Sequence, residues 1–134
     1  MSFRWPIRVY YEDTDAGGVV YHASYLRFFE RARTEFLRSL GFEQDDLRTR
    51  YGILFAVRSM QIEYVKAARF NEMLWVSVQV EQLKSASLSF KQLAMRQDDQ
   101  LVCEARARVV CLVAETFRPT AIPDFLLQRL KNDL

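Results

Sequence analysis

The sequence predicts an α+β domain in which an antiparallel sheet wraps one long helix near the start of the chain. Three observations carry that class. Apolar residues recur at helical spacing between Ser24 and Leu40. Four later segments alternate apolar and polar side chains at the period of a strand. The last of these strands carries short side chains, Cys103, Ala105 and Ala107, on one face, which lets a helix approach closely. The 134 residues fit a single domain, 1–134, and half of them are hydrophobic. That supports a core without disulfides or a structural metal. With only 4 glycines and 3 prolines, most of the chain is expected to be regular structure.

The elements follow in order. Phe3 to Tyr11, rich in Ile7, Val9, Tyr10 and Tyr11, reads as a first strand. Glu12 to Gly18 breaks the pattern and reads as a loop. The helix over Ser24–Leu40 places Leu26, Phe29, Phe36, Leu37 and Leu40 on its apolar stripe, with Ala32 between them. Ser24 is the expected N-cap and Gly41 the expected C-terminal glycine. Phe28 lies off the stripe, so the helix is expected to be covered on more than one face. A short helix is expected near Gln44 to Arg48. Strands are expected over Phe55–Lys66, Met73–Leu83, Ala86–Arg96 and Leu101–Val113. In the third of these the alternation slips between Phe90 and Leu93, which predicts a bulge there. Asp98-Asp99 marks a tight hairpin, and Pro123 the start of a short C-terminal helix.

Composition excludes several classes. A net charge of +2 with no basic run argues against nucleic acid. Cys103 and Cys111 lie eight positions apart on one predicted strand, about 26 Å at strand rise, so they cannot bridge within it. Two unpaired buried thiols suit a reducing cytoplasm. No apolar run is long enough to span a membrane, and Met1-Ser2-Phe3-Arg4-Trp5 lacks a signal peptide's apolar region. A cytoplasmic location is the default expectation.

The chemistry-bearing segment runs from Tyr11 to His22. Asp15 precedes the pair Gly17-Gly18, and the chain then enters the long helix. Glycines let the backbone turn tightly and admit a ligand close to the main chain. The first amides of a helix lack intrahelical partners and favour negative charge. Donors so placed stabilise the oxyanion of a carbonyl under attack, and a carboxylate beside them attacks that carbonyl or activates water. His22, the chain's single histidine, stands at the mouth of the same helix. Taken by themselves these residues also fit a plainer reading, in which an acidic loop is turn and capping chemistry and a lone histidine is structural.

The run Tyr-Tyr-Glu-Asp-Thr-Asp-Ala-Gly-Gly-Val-Val-Tyr-His at 10–22, followed by Glu30-Arg31-Ala32-Arg33-Thr34-Glu35, resembles the signature of the 4-hydroxybenzoyl-CoA thioesterase family. More closely it resembles that family's Tol–Pal-associated (YbgC-like) acyl-CoA thioesterase branch. The similarity runs from Phe3-Arg4-Trp5-Pro6 to the last strand. The resemblance implies a hotdog fold and hydrolysis of an acyl-CoA thioester to free acid and CoA. It implies Asp15 as nucleophile or general base, His22 as the residue whose backbone amide faces the thioester oxygen and whose ring assists, and Tyr11 as a support. Gly17 and Gly18 would shape the approach of the acyl-thioester, and Lys84 and Ser85 would contact the CoA arm. Asp13 is assigned a turn or surface role, and Glu30–Glu35 helix surface and subunit contact. One departure stands out: Ala68 occupies a position where the family pattern places proline.

No metal is implied, since one histidine and scattered carboxylates form no ligand set. No cofactor is implied either, because coenzyme A is part of the substrate. A curled sheet leaves open edges, and the resemblance implies that they pair between subunits, so the expectation is a homo-oligomer, a tetramer as a dimer of dimers, with the site at a subunit interface. Trp75, on the polar phase of its strand, is a candidate for such an interface. The competing function is a non-catalytic module that binds acyl-CoA or acyl carrier protein in an envelope-associated assembly. A β-hydroxyacyl dehydratase on the same fold fits less well, because its histidine and acid are spaced differently.

Overall fold

The structure, a computed structural model, describes residues 3–134. Its central element is α1, Ser24–Ser39, sixteen residues long. The buried stripe is Tyr25, Phe28, Phe29, Ala32, Arg33, Phe36 and Leu37. It is wider than the predicted one: Phe28 is fully covered, as a helix packed on more than one face requires. Leu26, at the stripe's margin in the first turn, is exposed instead. Leu40 and Gly41 (φ 94°) end the helix as expected. Ser24 does not cap it. Ala23 holds the N-cap position, and the Ser24 hydroxyl instead donates to the carbonyl of Asp13.

The strands β1 (Phe3–Arg8), β2 (Ile53–Tyr64), β3 (Met73–Leu83), β4 (Ser87–Arg96) and β5 (Leu101–Val113) form one antiparallel sheet in the order β1-β3-β4-β5-β2. The helix lies on its inner face. Phe36 meets Phe3 and Phe90 edge-on, at 5.6 and 6.0 Å between ring centroids. Cys103, Ala105 and Ala107 are buried, which admits the helix as their size predicts. β1 stops at Arg8 rather than Tyr11, because the chain turns into a short 3-10 segment at Tyr11–Asp13. β2 begins and ends two residues earlier than the pattern suggested, and a register shift interrupts it between Val57 and Ser59.

The bulge expected between Phe90 and Leu93 is not there. Burial alternates unbroken through Leu88, Phe90, Gln92 and Ala94. The apparent slip arises because Gln92, a polar residue, occupies the inner face. The register of β4 shifts against β5 at Ala94/Met95, and β3 shifts against β4 at Val80/Gln82. Gln92 Nε2 donates to the carbonyls of Phe29 (3.1 Å) and Ser77 (3.3 Å), which turns its Oε1 toward Arg33 Nη1 (2.9 Å). Arg33 therefore belongs to the buried stripe of α1, not to the surface expected for Glu30–Glu35.

Two short helices close the end of the domain opposite the start of β3. The helix α2, Gln44–Tyr51, runs one turn further than predicted and stops at Gly52 (φ 67°). The helix α3, Asp124–Lys131, follows Pro123 and buries Leu126 and Leu130. Just past α3, the Asp133 carboxylate accepts the Val80 amide beside the β3 irregularity. Asp98 and Asp99 form the expected β4–β5 hairpin, with Asp99 at φ 62°. Cys103 and Cys111 are free and buried. Trp75 is half-buried, with the Arg4 guanidinium 4.2 Å from its ring centroid.

Candidate active site

The end of β1 delivers the chain into a hairpin held from both sides by Asp13. This carboxylate is only 3% exposed. It accepts the Tyr10 amide at 2.8 Å and faces Arg27 Nη2 of α1 at 3.4 Å. The Asp13 carbonyl accepts the Tyr21 amide (2.8 Å) and the Ser24 hydroxyl (3.3 Å). Asp13 is thus a buried anchor joining the strand end, the hairpin and the first turn of α1. The surface role read from the sequence is corrected accordingly, while the turn role holds, since the carboxylate caps the 3-10 turn through the Tyr10 amide. A charged residue is buried only where partners exist, and here one partner lies fourteen positions away in α1.

The hairpin spans 14–20. Thr14 bridges Val20, and Asp15 N–H donates to the Val19 carbonyl at 3.0 Å. Gly18 N–H returns to the Asp15 carbonyl at 3.0 Å, and Gly18 sits at φ 78°, a conformation that favours glycine. Gly17 N–H donates to Asp15 Oδ1 at 2.8 Å, and a Cβ at Gly17 would stand 3.1 Å from that oxygen. The glycine pair therefore turns the backbone and leaves room for the carboxylate. Asp15 itself is exposed, and its Oδ2 has no partner among the described residues. The hairpin's other side is fastened to the segment after β2, where Val20 N–H donates to the Ala68 carbonyl at 2.8 Å and Val19 bridges Arg69. Ala68 is fully buried, so the position that departs from the family pattern holds the hairpin through its carbonyl.

At the mouth of α1, the Ser24 amide donates to Tyr21 and the Leu26 amide to Ala23. The amides of His22 and Ala23 donate to no protein acceptor among the described residues. They are the free donors that an oxyanion needs. The His22 ring is exposed and lies between Tyr21 (centroids 4.5 Å apart) and Tyr64 at the end of β2 (6.1 Å, edge-on). The Tyr64 hydroxyl donates to the His22 carbonyl at 3.0 Å. Burial, with a contribution from Cys103, raises the Tyr64 phenol above its ordinary value, so it stays a donor through the neutral range. Tyr11 stands on the 3-10 turn, exposed, with its ring edge-on to Phe70 at 5.8 Å.

The structure thus places Tyr11, Asp15, Gly17, Gly18 and His22 in one short segment at one end of the sheet. No hydrogen bond joins the side chains of Asp15, His22 and Tyr11. Lys84 and Ser85 are not brought to them. They lie past the far end of β3, and Arg8, which leads into the hairpin, pairs with Met73 at its near end. Eleven strand residues separate the two ends, about 35 Å. Within one chain Lys84 and Ser85 belong to the opposite end of the sheet. Asp13, Tyr64 and the Ala23 amide were not identified as site residues from sequence. Asp13 lay in the quoted motif, and only its burial distinguishes it from a turn carboxylate.

Among the described residues no cluster of His, Cys, Asp or Glu side chains is grouped to hold a metal ion. A small cleft of about 40 Å³ runs along α1, lined by Arg33, Leu37, Phe55, Val57, Phe90 and Val109 among others. Asp15 does not line it.

Comparison with known proteins agrees with this geometry. The family described as the thioesterase-like superfamily matches residues 9–130. The acyl-CoA thioester hydrolase YbgC of Escherichia coli is 45% identical over 130 residues, covering 97% of this chain and 96% of the relative. The acyl-CoA thioesterase YbgC of Haemophilus influenzae is 46% identical over 122 residues, covering 91% and 89%. A probable thioesterase from Bartonella henselae superposes with a TM-score of 0.86 at 32% identity, covering 92% of this chain and all of that one. A hypothetical protein from Thermus thermophilus superposes at 0.91 with 30% identity, covering 98% of each chain. The antiparallel sheet around α1 is the hotdog fold, and the chain belongs to the thioesterase-like superfamily, among relatives of the YbgC type.

Proposed function

We propose that this chain is a thioester hydrolase that cleaves an acyl-CoA thioester to a free acid and CoA. The observation that carries the reading is an uncommitted carboxylate oxygen on Asp15 together with uncommitted amides at His22 and Ala23, on a segment that Asp13 ties to the end of β1 and the first turn of α1. The relatives named above as acyl-CoA thioesterases support it. Water attacks the thioester carbonyl while Asp15 takes its proton, or Asp15 attacks directly and water then cleaves the mixed anhydride. On either route the amides hold the oxyanion, the C–S bond breaks, and a proton passes to the departing thiolate. Gly17 and Gly18 leave the carbonyl's approach open. The exposed rings of His22 and Tyr11 orient the substrate. No cofactor enters the scheme, since coenzyme A arrives and leaves with the substrate.

The site reads as half of a larger one. β2 is an edge of the sheet with no partner strand on its outer side among the described residues. A twelve-residue edge left open invites pairing. A second copy pairing antiparallel along β2 would bring its own Tyr64 end beside this chain's Ile53 end. Its Asp15 hairpin would then lie at the end of the sheet that carries this chain's Lys84 and Ser85. That arrangement gives Lys84 and Ser85 a place against the CoA arm that a single chain denies them. We take the working form to be a homo-oligomer, a tetramer built from such dimers, acting in the cytoplasm. Among the described residues no helix is long and apolar enough to cross a membrane.

The test is thiol release by the purified protein from short, long and aromatic acyl-CoAs. Saturable release of CoA from at least one class supports hydrolysis. Binding of acyl-CoA without release would instead identify a binding module.

A further inference from the structure

A second residue at the mouth of α1 is held by the sheet rather than by the hairpin. Tyr64 is the last residue of β2, and its hydroxyl is 3.0 Å from the His22 carbonyl. The His22 carbonyl and the Ala23 N–H belong to one peptide unit, which is planar and trans. Fixing the carbonyl therefore fixes the direction of the Ala23 amide, a free donor at the site. The Tyr64 ring is itself set by its neighbours, edge-on to His22 at 6.1 Å and tilted against Tyr25 at 5.8 Å, and Tyr25 is buried. The two amides that follow Tyr64, on Val65 and Lys66, both donate to the Val102 carbonyl of β5, at 2.9 and 3.0 Å. The backbone that carries Tyr64 is thus anchored to the sheet, although the ring is partly exposed. Asp13 ties the hairpin to α1 through other groups, the Tyr21 amide and the Ser24 hydroxyl, and leaves the His22–Ala23 peptide untouched.

We propose that Tyr64 is a positioning residue of the hydrolase: its hydroxyl, donated from the end of the edge strand to the His22 carbonyl, aims the Ala23 amide at the thioester oxygen. The role rests on the thioesterase reading of the site. Losing the hydroxyl leaves the ring and its contacts in place but frees the peptide to rotate. The oxyanion then meets a donor that must reorganise, and a donor aimed at charge that develops only in the transition state affects turnover more than binding. Because Tyr64 ends the strand whose outer edge is open, the same residue also links that edge to the site.

The test is Tyr64→Phe, assayed by thiol release and by the amide nitrogen resonances of the folded protein. The expected result is a fall in kcat of about tenfold with KM within about twofold, as for loss of one hydrogen bond that matters in the transition state. The Ala23 amide nitrogen should shift while those of β5 stay in place. Wild-type kcat in Tyr64→Phe would overturn the proposal. So would a raised KM at unchanged kcat, which marks a substrate contact, or a kcat loss accompanied by shifts throughout β5, which marks general loosening. If the thioesterase reading itself is wrong, the wild-type protein releases no thiol; the catalytic role of Tyr64 then falls with it, whereas the Ala23 shift still reports the hydrogen bond.

Discussion

The interface between α1 and the sheet and the hairpin between β1 and α1 treat polar groups in opposite ways. At the interface everything polar is closed. Arg33 meets Gln92 and Glu30, and Gln92 meets two backbone carbonyls. Among the described residues no buried side-chain nitrogen or oxygen lacks a partner. In the hairpin only the anchor is closed. Asp13 is buried and bonded, whereas Asp15, His22 and Tyr11 are exposed and two amides are free. The contrast separates stability from reactivity. One carboxylate holds the backbone so that another, two residues on, can remain uncommitted.

Substitutions in the two regions should therefore have different consequences. The largest effect is expected at Asp15→Asn. Removing the charge should lower kcat by about a thousandfold, within the range for loss of a positioned base or nucleophile. Asn retains an acceptor for Gly17 N–H, so the unfolding midpoint should stay within about 2 °C, read by thermal denaturation.

Next is Gln92→Leu. It removes the side-chain donor from the Phe29 and Ser77 carbonyls and leaves the buried Arg33 with Glu30 alone. A loss of about 3 kcal/mol is expected in urea denaturation. Turnover of the protein that remains folded should change less than threefold. A stability change near zero would show that the interface tolerates open polar groups and would break the contrast.

Asp13→Ala should show both effects at smaller size. The Tyr10 amide and Arg27 lose their partner, which should cost about 1–2 kcal/mol. The hairpin also loosens, and kcat should fall about tenfold. Loss of stability with full turnover would show that Asp13 anchors the fold without serving the site.

The smallest effect concerns the thiols of β5. Burial pushes Cys103 up to about 12 and Cys111 up to about 11. Both stay protonated at neutral pH and should resist alkylation until the protein is denatured, as mass spectrometry would read. The sign of the pH dependence follows. Below the ordinary thiol value, folded and unfolded states hold the same protons. Above it the unfolded chain ionises first, so stability falls as pH rises from about 9 through 11 and 12.

Alternation made the bounds of β3 and β5 readable, but not every face: at the start of β5 Val102 is buried and Leu101 only half-buried, where the register against β4 shifts. The same rule misled at β4. A polar residue on the inner face looks like a change of phase, and nothing near Gln92 in sequence reveals that Arg33, 59 positions away, faces it. At the candidate site, the tight turn after Asp15 was legible because its glycine pair and the following helix are local. Asp13 was not, because its partner Arg27 lies fourteen positions away in α1 and only the folded chain buries the carboxylate. The placement of Lys84 and Ser85 was illegible for a different reason. Whether they can reach the site depends on which end of the sheet they occupy, and that is a property of topology rather than of the residues around them.

Kinetics and unfolding of Asp15→Asn and Gln92→Leu, measured side by side on one acyl-CoA substrate that the wild-type protein hydrolyses, put the separation of reactivity from stability to its hardest test. If Asp15 carries the chemistry, the results cross. Asp15→Asn loses about a thousandfold in kcat at an unchanged midpoint, and Gln92→Leu keeps its turnover while its midpoint falls. An Asp15→Asn protein that turns over within tenfold of wild type would contradict the assignment of the active site.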